Sequence, residues 1–315
     1  MFDRKSMEGI LEKIKDRNGK KIFLQVPEGL KMGVQDLADF LTGEGIDVFI
    51  SIEPCFGACD LRINEAEAMG CDLVVHVGHS DFGVESKIQV IYHEYGIEID
   101  PVPLLEHHLA SLGGYKRIGL VTTIQFVSAL GKVRDFLEKN GFAAMTGKSS
   151  KGIEGQILGC DHSAGLSVKD EVDCFLFVGS GRFHPLGLQE KTEKPVFFLD
   201  VEKSQLTNFS RERERMETLS IMRVQKAKGL DNFGIIVSSK PGQMKTKMAE
   251  EIKERLKGMG KKVYVLVADQ ITPEKLMGLK IDVLVNTACP RIREDHDLFR
   301  KTILNPEDLE RMDSV

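Results

Sequence analysis

The chain has 315 residues, 42% of them hydrophobic and 29% charged, with 43 basic side chains against 48 acidic ones. A net charge of −5 excludes a protein that works through a strong overall basic field, so direct nucleic-acid binding is not expected. The apolar runs Leu73–Val77, Cys174–Val178 and Val263–Val267 are far shorter than the roughly 18–20 residues of a membrane span. Met1–Lys21 is rich in charge and has no apolar signal core, so we expect no membrane association and a soluble, cytoplasmic protein.

In chain order, Met7, Ile10, Leu11 and Ile14 follow the i, i+3, i+4, i+7 rule and predict an amphipathic helix. Ile22–Val26 predicts a strand ended by Pro27, which cannot continue a sheet ladder. A helical stretch to Phe40-Leu41, a strand over Asp47–Ile52, a loop over Glu53–Asp60 and a helix ending near Gly70 follow. Strand Leu73–Val77, closed by Gly78-His79-Ser80, completes the round. The pattern recurs as strand Arg117–Thr123, helix Ile124–Asn140, strand Phe142–Met145, a Gly-rich loop Gly155–Asp161, and strand Asp173–Val178 closed by Gly179-Ser180-Gly181. A third round has strand Phe233–Val237, helix Gln243–Met259, strand Val263–Val267, and strand Ile281–Val285 closed by Asn286-Thr287-Ala288.

The clearest internal match joins Cys71-Asp72-Leu73-Val74-Val75, Val172-Asp173-Cys174-Phe175-Leu176 and Ile281-Asp282-Val283-Leu284-Val285. Strands alternating with helices argue for parallel sheets covered on both faces. We therefore expect an α/β protein of three similar domains, residues 1–106, 107–210 and 211–315, in a pseudo-three-fold arrangement. The charged stretch Ser210–Lys228 is expected to bridge the second and third, and Arg211–Arg215 to form an exposed helix face. A two-domain doubly wound enzyme is the main alternative. Ligands of open α/β sheets gather beyond the carboxyl ends of the strands, so three such units facing one another would surround one cavity.

Six cysteines bear on what that cavity holds. Cys71 and Cys174 sit in apolar strands and read as core. Cys59, Cys160 and Cys289 lie in the loops Pro54-Cys55-Phe56-Gly57-Ala58-Cys59-Asp60, Gln156-Ile157-Leu158-Gly159-Cys160-Asp161 and Thr287-Ala288-Cys289-Pro290-Arg291, one per domain. Cys59 and Cys160 each precede Asp at the start of a helical stretch, where a helix N-terminus is expected to favour a thiolate. Cys55 and Cys59 form a C-x3-C pair, which leaves Cys55 open as a further ligand. No paired C-x2-C zinc pattern and no C-x3-C-x2-C spacing is present. Three thiolates without a fourth suit an iron–sulfur cluster with one open iron, whereas four would close it. The turns Pro27-Glu28-Gly29, Gly78-His79-Ser80-Asp81, Gly179–Pro185 and Ser238–Gln243 are either plain turns or cradles for the polar ends of a small ligand, and none is a Walker A loop. His107-His108 reads as a solvated helix end.

Taken together, Val26-Pro27-Glu28-Gly29-Leu30, Glu53-Pro54-Cys55-Phe56-Gly57-Ala58-Cys59-Asp60, Gly155–Cys160, Gly181-Arg182-Phe183-His184-Pro185 and Asn286–Arg291 resemble the archaeal-type diphthamide synthases, the 2-(3-amino-3-carboxypropyl)histidine synthases of the first diphthamide step. The resemblance runs over about residues 20–305. It implies a homodimer of three-domain chains with a [4Fe–4S] cluster held by Cys59, Cys160 and Cys289. It also implies an atypical radical transferase in which S-adenosylmethionine, bound at the open iron, is cleaved between sulfur and the methionine γ-carbon by an electron from the cluster, which a separate donor reduces, giving a 3-amino-3-carboxypropyl radical and methylthioadenosine. The 3-amino-3-carboxypropyl group is then added to C2 of a histidine imidazole in translation elongation factor 2. Phe56 departs mildly from the tyrosine common at that place in the family. From loop position, Glu28, Arg182, His184, Gln243 and Arg291 are the expected contacts of S-adenosylmethionine. Two alternatives remain: a quinolinate-synthase-like dehydratase, in which an open iron serves as a Lewis acid, and a non-catalytic cluster protein that senses redox state.

Overall fold

The computed structural model describes residues 2–293 and 296–313, so the terminal residues of the first and third expected domains, and residues 294 and 295, lie outside it. The first sheet contains β1 (Lys21–Gln25), β2 (Asp47–Ile50), β3 (Leu73–Val77) and β4 (Gln89–His93), all parallel, in the order β2-β1-β3-β4. The second contains β5 (Arg117–Thr122), β6 (Ala143–Met145), β7 (Cys174–Gly179), β8 (Val196–Asp200) and β9 (Gln205–Asn208), in the order β6-β5-β7-β8-β9, with only β9 antiparallel. The third, with β10 (Asn232–Ser238), β11 (Lys262–Ala268), β12 (Val283–Asn286) and β13 (Thr302–Leu304), repeats the first as β11-β10-β12-β13, again all parallel. The fold is therefore α/β with three parallel-dominated sheets.

Each sheet carries an apolar cluster on both faces. In the first, Leu24, Val75 and Val77 pack with Ile10 and Ile14 on one side, and Phe23 and Val74 pack with Ala66 and Cys71 on the other. The second sheet divides its core the same way, with Leu120 and Cys174 in one cluster and Val121 and Phe175 in the other. So does the third, with Ile235 and Val283 opposite Ile236 and Leu284. Burial on both faces is what permits the unbroken apolar runs of these parallel strands.

The helices follow from capping and amphipathic spacing. Helix Arg4–Asp16 starts at Asp3, whose carboxylate accepts from the Ser6 N–H at 2.7 Å, and it buries Ile10, Leu11 and Ile14. The expected helix Ile124–Asn140 opens as a 3-10 turn and becomes α-helical at Leu130. The expected helix from Gln243 likewise opens as a 3-10 turn over Pro241–Gln243, with the α-helix running Thr246–Gly258. Helix Ser210–Lys228 buries Ser220, Val224 and Ala227 and packs on the Phe183–Lys191 helix of the second unit and on β13 and the Pro306–Asp313 helix of the third.

The Asp shared by the three matching strands has a structural role. At the start of its sheet's third strand it accepts hydrogen bonds from the free backbone N–H groups where the first strand begins. Asp72 takes Lys20 at 3.1 Å and Lys21 at 3.3 Å, Asp173 takes Lys116 at 3.0 Å and Arg117 at 2.9 Å, and Asp282 takes Asn232 at 3.2 Å. Asp173 also pairs with the Arg117 guanidinium at 2.7 Å. That guanidinium and the two N–H groups hold the Asp173 carboxyl well below the ordinary carboxylate range. A carboxyl depressed on folding adds stability above its unfolded pKa, about 3.9, and loses it as pH falls toward the folded value. Asp173→Asn is therefore expected to lower the melting temperature at pH 7, with the difference from the parent shrinking as unfolding is repeated at pH values below about 4. A pH-independent difference would contradict this role.

Candidate functional site

All three sheets share one strand order, which reverses direction between the first and third strands of each unit, and loops gather at the carboxyl side of such a switch point. The three loop cysteines lie on that side but not at equivalent places. Cys59 and Cys160 follow the second strand of their units, whereas Cys289 follows the third strand of its own. In unit three the equivalent of the Cys59 loop carries no cysteine, and the turn after β12 supplies the thiol instead. The loops nonetheless converge: a charge on Cys160 or Cys289 acts on Cys59, and a charge on Cys160 acts on Cys289.

A clasp between units one and three fixes Cys59. The turn after β10 reaches across so that Gly242 N–H donates to the Cys59 carbonyl at 2.9 Å and Gln243 Nε2 donates to Cys59 Sγ at 3.3 Å. A Cβ at Gly242 would lie 2.5 Å from Cys59 Cα, so only glycine permits this approach. Beside it the buried Lys240 ammonium meets Asp60 Oδ2 at 2.5 Å and lies 4.8 Å from the centre of the Phe56 ring. Burial holds the Asp60 carboxyl above its ordinary range even against Lys240 and Arg62. Arg62 pairs with Asp269 of the third unit at 2.9 Å. From β1, the buried Gln25 side chain donates to the Asp60 carbonyl at 2.6 Å and accepts from Arg62 N–H at 3.3 Å. Unit two is joined to unit one through Ser80 and Gln156, at 2.9 and 3.2 Å, and to unit three through Glu190–Arg293 and through Lys191–Glu307 at 3.1 Å.

The Cys59 and Cys289 thiols answer first to burial. Cys59 is pushed up to about 11 by burial, opposed by the Gln243 hydrogen bond and reinforced by the neighbouring thiols. Cys289 is likewise raised by burial, opposed by the Arg291 N–H. The expectation that a helix N-terminus would favour a thiolate at Cys59 therefore fails. The helix that follows, Ile63–Ala68, is short and begins four residues later. Thiols from three units, near enough for their charges to act on one another, suit a cationic metal centre that takes over that charge, and N–H donors already aim at two of them. The residues present thus fit an iron–sulfur cluster bound by three cysteines. Cys160 is exposed and borders a cavity of about 930 Å³ between units two and three, lined also by His162, Phe183, Arg223, Thr287 and Arg293. Cys71 and Cys174 are buried in core clusters, as expected. Cys55 is buried and pushed up to about 12 by burial and by the nearby Asp60.

The structure brings two of the five expected ligand contacts to the sulfurs: Gln243 donates to Cys59, and Arg291 caps Cys289 with its N–H and lays its guanidinium 5.9 Å from the Phe183 ring centre. His184 sits in the second unit's wall, its ring parallel to Phe177 at 6.3 Å and close enough to Arg291 to feel its charge. Burial holds that imidazole down to about 4, hence neutral at pH 7. Arg182 points to Glu212 at 3.3 Å and lies over Phe209, and Glu28 is exposed and paired with Lys31 at 2.6 Å. Sequence reasoning missed Lys240 and Gly242. Their signal was the sequence Lys240-Pro241-Gly242 in a first βα turn, read as a plain turn or a cradle for ligand and not as a clasp between units.

Residues 26–313 match the family model described as "Putative diphthamide synthesis protein". The chain is 33% identical over 308 residues to the 2-(3-amino-3-carboxypropyl)histidine synthase of Pyrococcus horikoshii, an overlap of 96% of this chain and 88% of that one. With the enzyme of the same name from Methanocaldococcus jannaschii it shares 28% identity over 319 residues, 93% of this chain and 84% of the relative. Among solved structures, the crystal structure of Dph2 from Pyrococcus horikoshii with 4Fe-4S cluster superposes with a TM-score of 0.90 at 32% identity, covering 97% of this chain and 89% of that one. A match over most of its length in both family model and relatives shows that this chain belongs to the diphthamide synthesis protein family.

Proposed function

We propose that the protein is a 2-(3-amino-3-carboxypropyl)histidine synthase acting in diphthamide biosynthesis, with Cys59, Cys160 and Cys289 holding a [4Fe–4S] cluster. Such a cluster, when bound, supplies a low-potential electron and one iron free to hold S-adenosylmethionine. The overall reaction transfers the 3-amino-3-carboxypropyl group of S-adenosylmethionine to C2 of a histidine imidazole in translation elongation factor 2. The S–Cγ bond breaks, a C–C bond forms, the C2 proton leaves, and methylthioadenosine is the co-product. The observation that carries this reading is the meeting of one thiol from each of three separate sheets.

The chain's own groups support the chemistry by position. Lys240 and Asp60 hold the Cys59 loop, while Gln243 and the Arg291 N–H donate to the outer sulfurs and stabilise negative charge there. Glu28, Arg182, His184, Gln243 and Arg291 are the proposed contacts of S-adenosylmethionine, with the arginines suited to its carboxylate and Glu28 to its ammonium. The proposed domain limits are residues 1–106, 107–210 and 211–315. Among the described residues no helix is long and apolar enough to cross a membrane. A cytoplasmic setting, where thiols stay reduced, and a separate electron donor complete the proposal. A homodimer is supported by the edge strand β11, which leaves Tyr264, Val265 and Val267 exposed.

Incubated anaerobically with reductant, S-adenosylmethionine and elongation factor 2, the protein is expected to release methylthioadenosine. Release of 5′-deoxyadenosine, or no cleavage at all, would contradict the proposal. Alanine at Cys59, Cys160 or Cys289 is expected to remove most of the iron and the visible thiolate-to-iron absorbance. Alanine at Cys55 is expected to leave the iron in place. Alanine at Cys71 or Cys174 is expected to do the same while costing roughly 1 kcal/mol of stability. Iron content measured after anaerobic purification decides between these outcomes, and iron loss in Cys55→Ala would show that the wrong member of the C-x3-C pair was assigned.

A further inference from the structure

We propose that Cys55, His76 and His79 form a second metal site, one thiol and two imidazoles suited to zinc, separate from the three-cysteine array. His76 is the fourth residue of β3 and fully buried, and Cys55 is 2% exposed. The chain leaves β3 through Gly78, at φ +97°, where a Cβ would lie 2.9 Å from the Pro27 ring. Glycine there lets the backbone double back against the first βα turn and returns His79 to the His76 ring. His76 Nε2 and His79 Nδ1 stand 3.0 Å apart. One ligand atom from each of the three residues lies within 4.8 Å of the other two.

These positions are close to what zinc requires. Bonds of about 2.0–2.1 Å to nitrogen and about 2.3 Å to sulfur place tetrahedral ligand atoms roughly 3.3–3.6 Å apart. The two nitrogens already lie near that spacing, and the Cys55 sulfur has to close by little more than about 1 Å. Metal-bound histidines usually donate their other ring N–H to a fixed acceptor. His76 Nδ1 faces Gln25 Oε1 at 3.5 Å, and Gln25 is itself held by the Asp60 carbonyl. Thiolate with two imidazoles is a donor set suited to zinc, and three protein ligands leave a fourth position for water. On binding, the thiol proton passes to solvent and each imidazole offers one lone pair. His79, half-buried, is the least covered of the three ligands. The effect would be to pin the Glu53–Asp60 loop, and with it Cys59, to the end of β3.

The test separates this site from the cluster. Anaerobically purified holoenzyme, exposed to micromolar zinc and dialysed against a weak chelator, is expected to keep about one zinc per chain alongside its iron. X-ray absorption at the zinc edge is expected to show one sulfur at about 2.3 Å and nitrogen at about 2.0 Å. His79→Ala and the milder His76→Gln are expected to lose the zinc and keep the iron, and Cys59→Ala to lose the iron and keep the zinc. A parent protein that retains no zinc, a zinc edge without sulfur, or zinc retained in both histidine variants would overturn the proposal. Loss of iron alone in Cys59→Ala leaves the zinc reading intact, so the failure of one site is not mistaken for failure of the other.

Discussion

The contact on which the structure turns is the grip of the Lys240–Gln243 turn on the Cys59 loop. It joins the first and third units by three polar links within a few residues: an ammonium on a buried carboxylate, a backbone N–H on a carbonyl, and an amide on a sulfur. A buried ion pair such as Lys240–Asp60 adds little net stability, because desolvating both charges offsets most of their attraction. Removing Asp60 is another matter, at about 3–5 kcal/mol, because the Lys240 ammonium is then left buried without its carboxylate. The pair therefore acts as a register pin. It penalises any placement of unit three that does not bring its turn onto Cys59, and the absence of a side chain at Gly242 makes the approach sterically feasible.

Convergence has to be imposed in this way because local structure does not supply it. Each sheet holds its own core on both faces and can be satisfied without the others. What the units share is a polarity: parallel strands deliver their loops to one side, and the joints Ser80–Gln156, Arg62–Asp269 and Glu190–Arg293 turn those sides toward one another. Groups drawn from separate rigid frameworks are held more precisely than groups on one flexible loop, which suits a site that must bind a reactive centre and partly shield it.

Much of this was legible in the residues. The Asp-led apolar strands revealed the three-fold repeat, and their carboxylates prove to tie first and third strands together in every unit. The strands beyond the matched one in each sheet were not legible: β4, β8, β9 and β13 have runs that are short or fall among irregular segments. At the site, the cysteines stood out because thiols in Gly-rich loops are unusual, whereas the thiol environment was misread. A helix N-terminus was expected to govern Cys59, but only the folded chain shows that burial and the neighbouring sulfurs prevail. The roles of Lys240 and of the His76–His79 pair were hidden because their partners are distant in sequence or separated by a turn whose shape depends on Gly78.

The central claim, that one thiol from each of the three units converges on one cluster site, is open to a measurement that needs no substrate. Cluster-free protein reconstituted anaerobically with iron and sulfide reports whether Cys59, Cys160 and Cys289 reach the same cluster. The account predicts uptake of about four irons per chain, with a thiolate-to-iron band that fails to develop when any one of the three is replaced by alanine and develops normally in Cys71→Ala and Cys174→Ala. A parent chain that takes up no cluster, or uptake indifferent to those three positions, would contradict it.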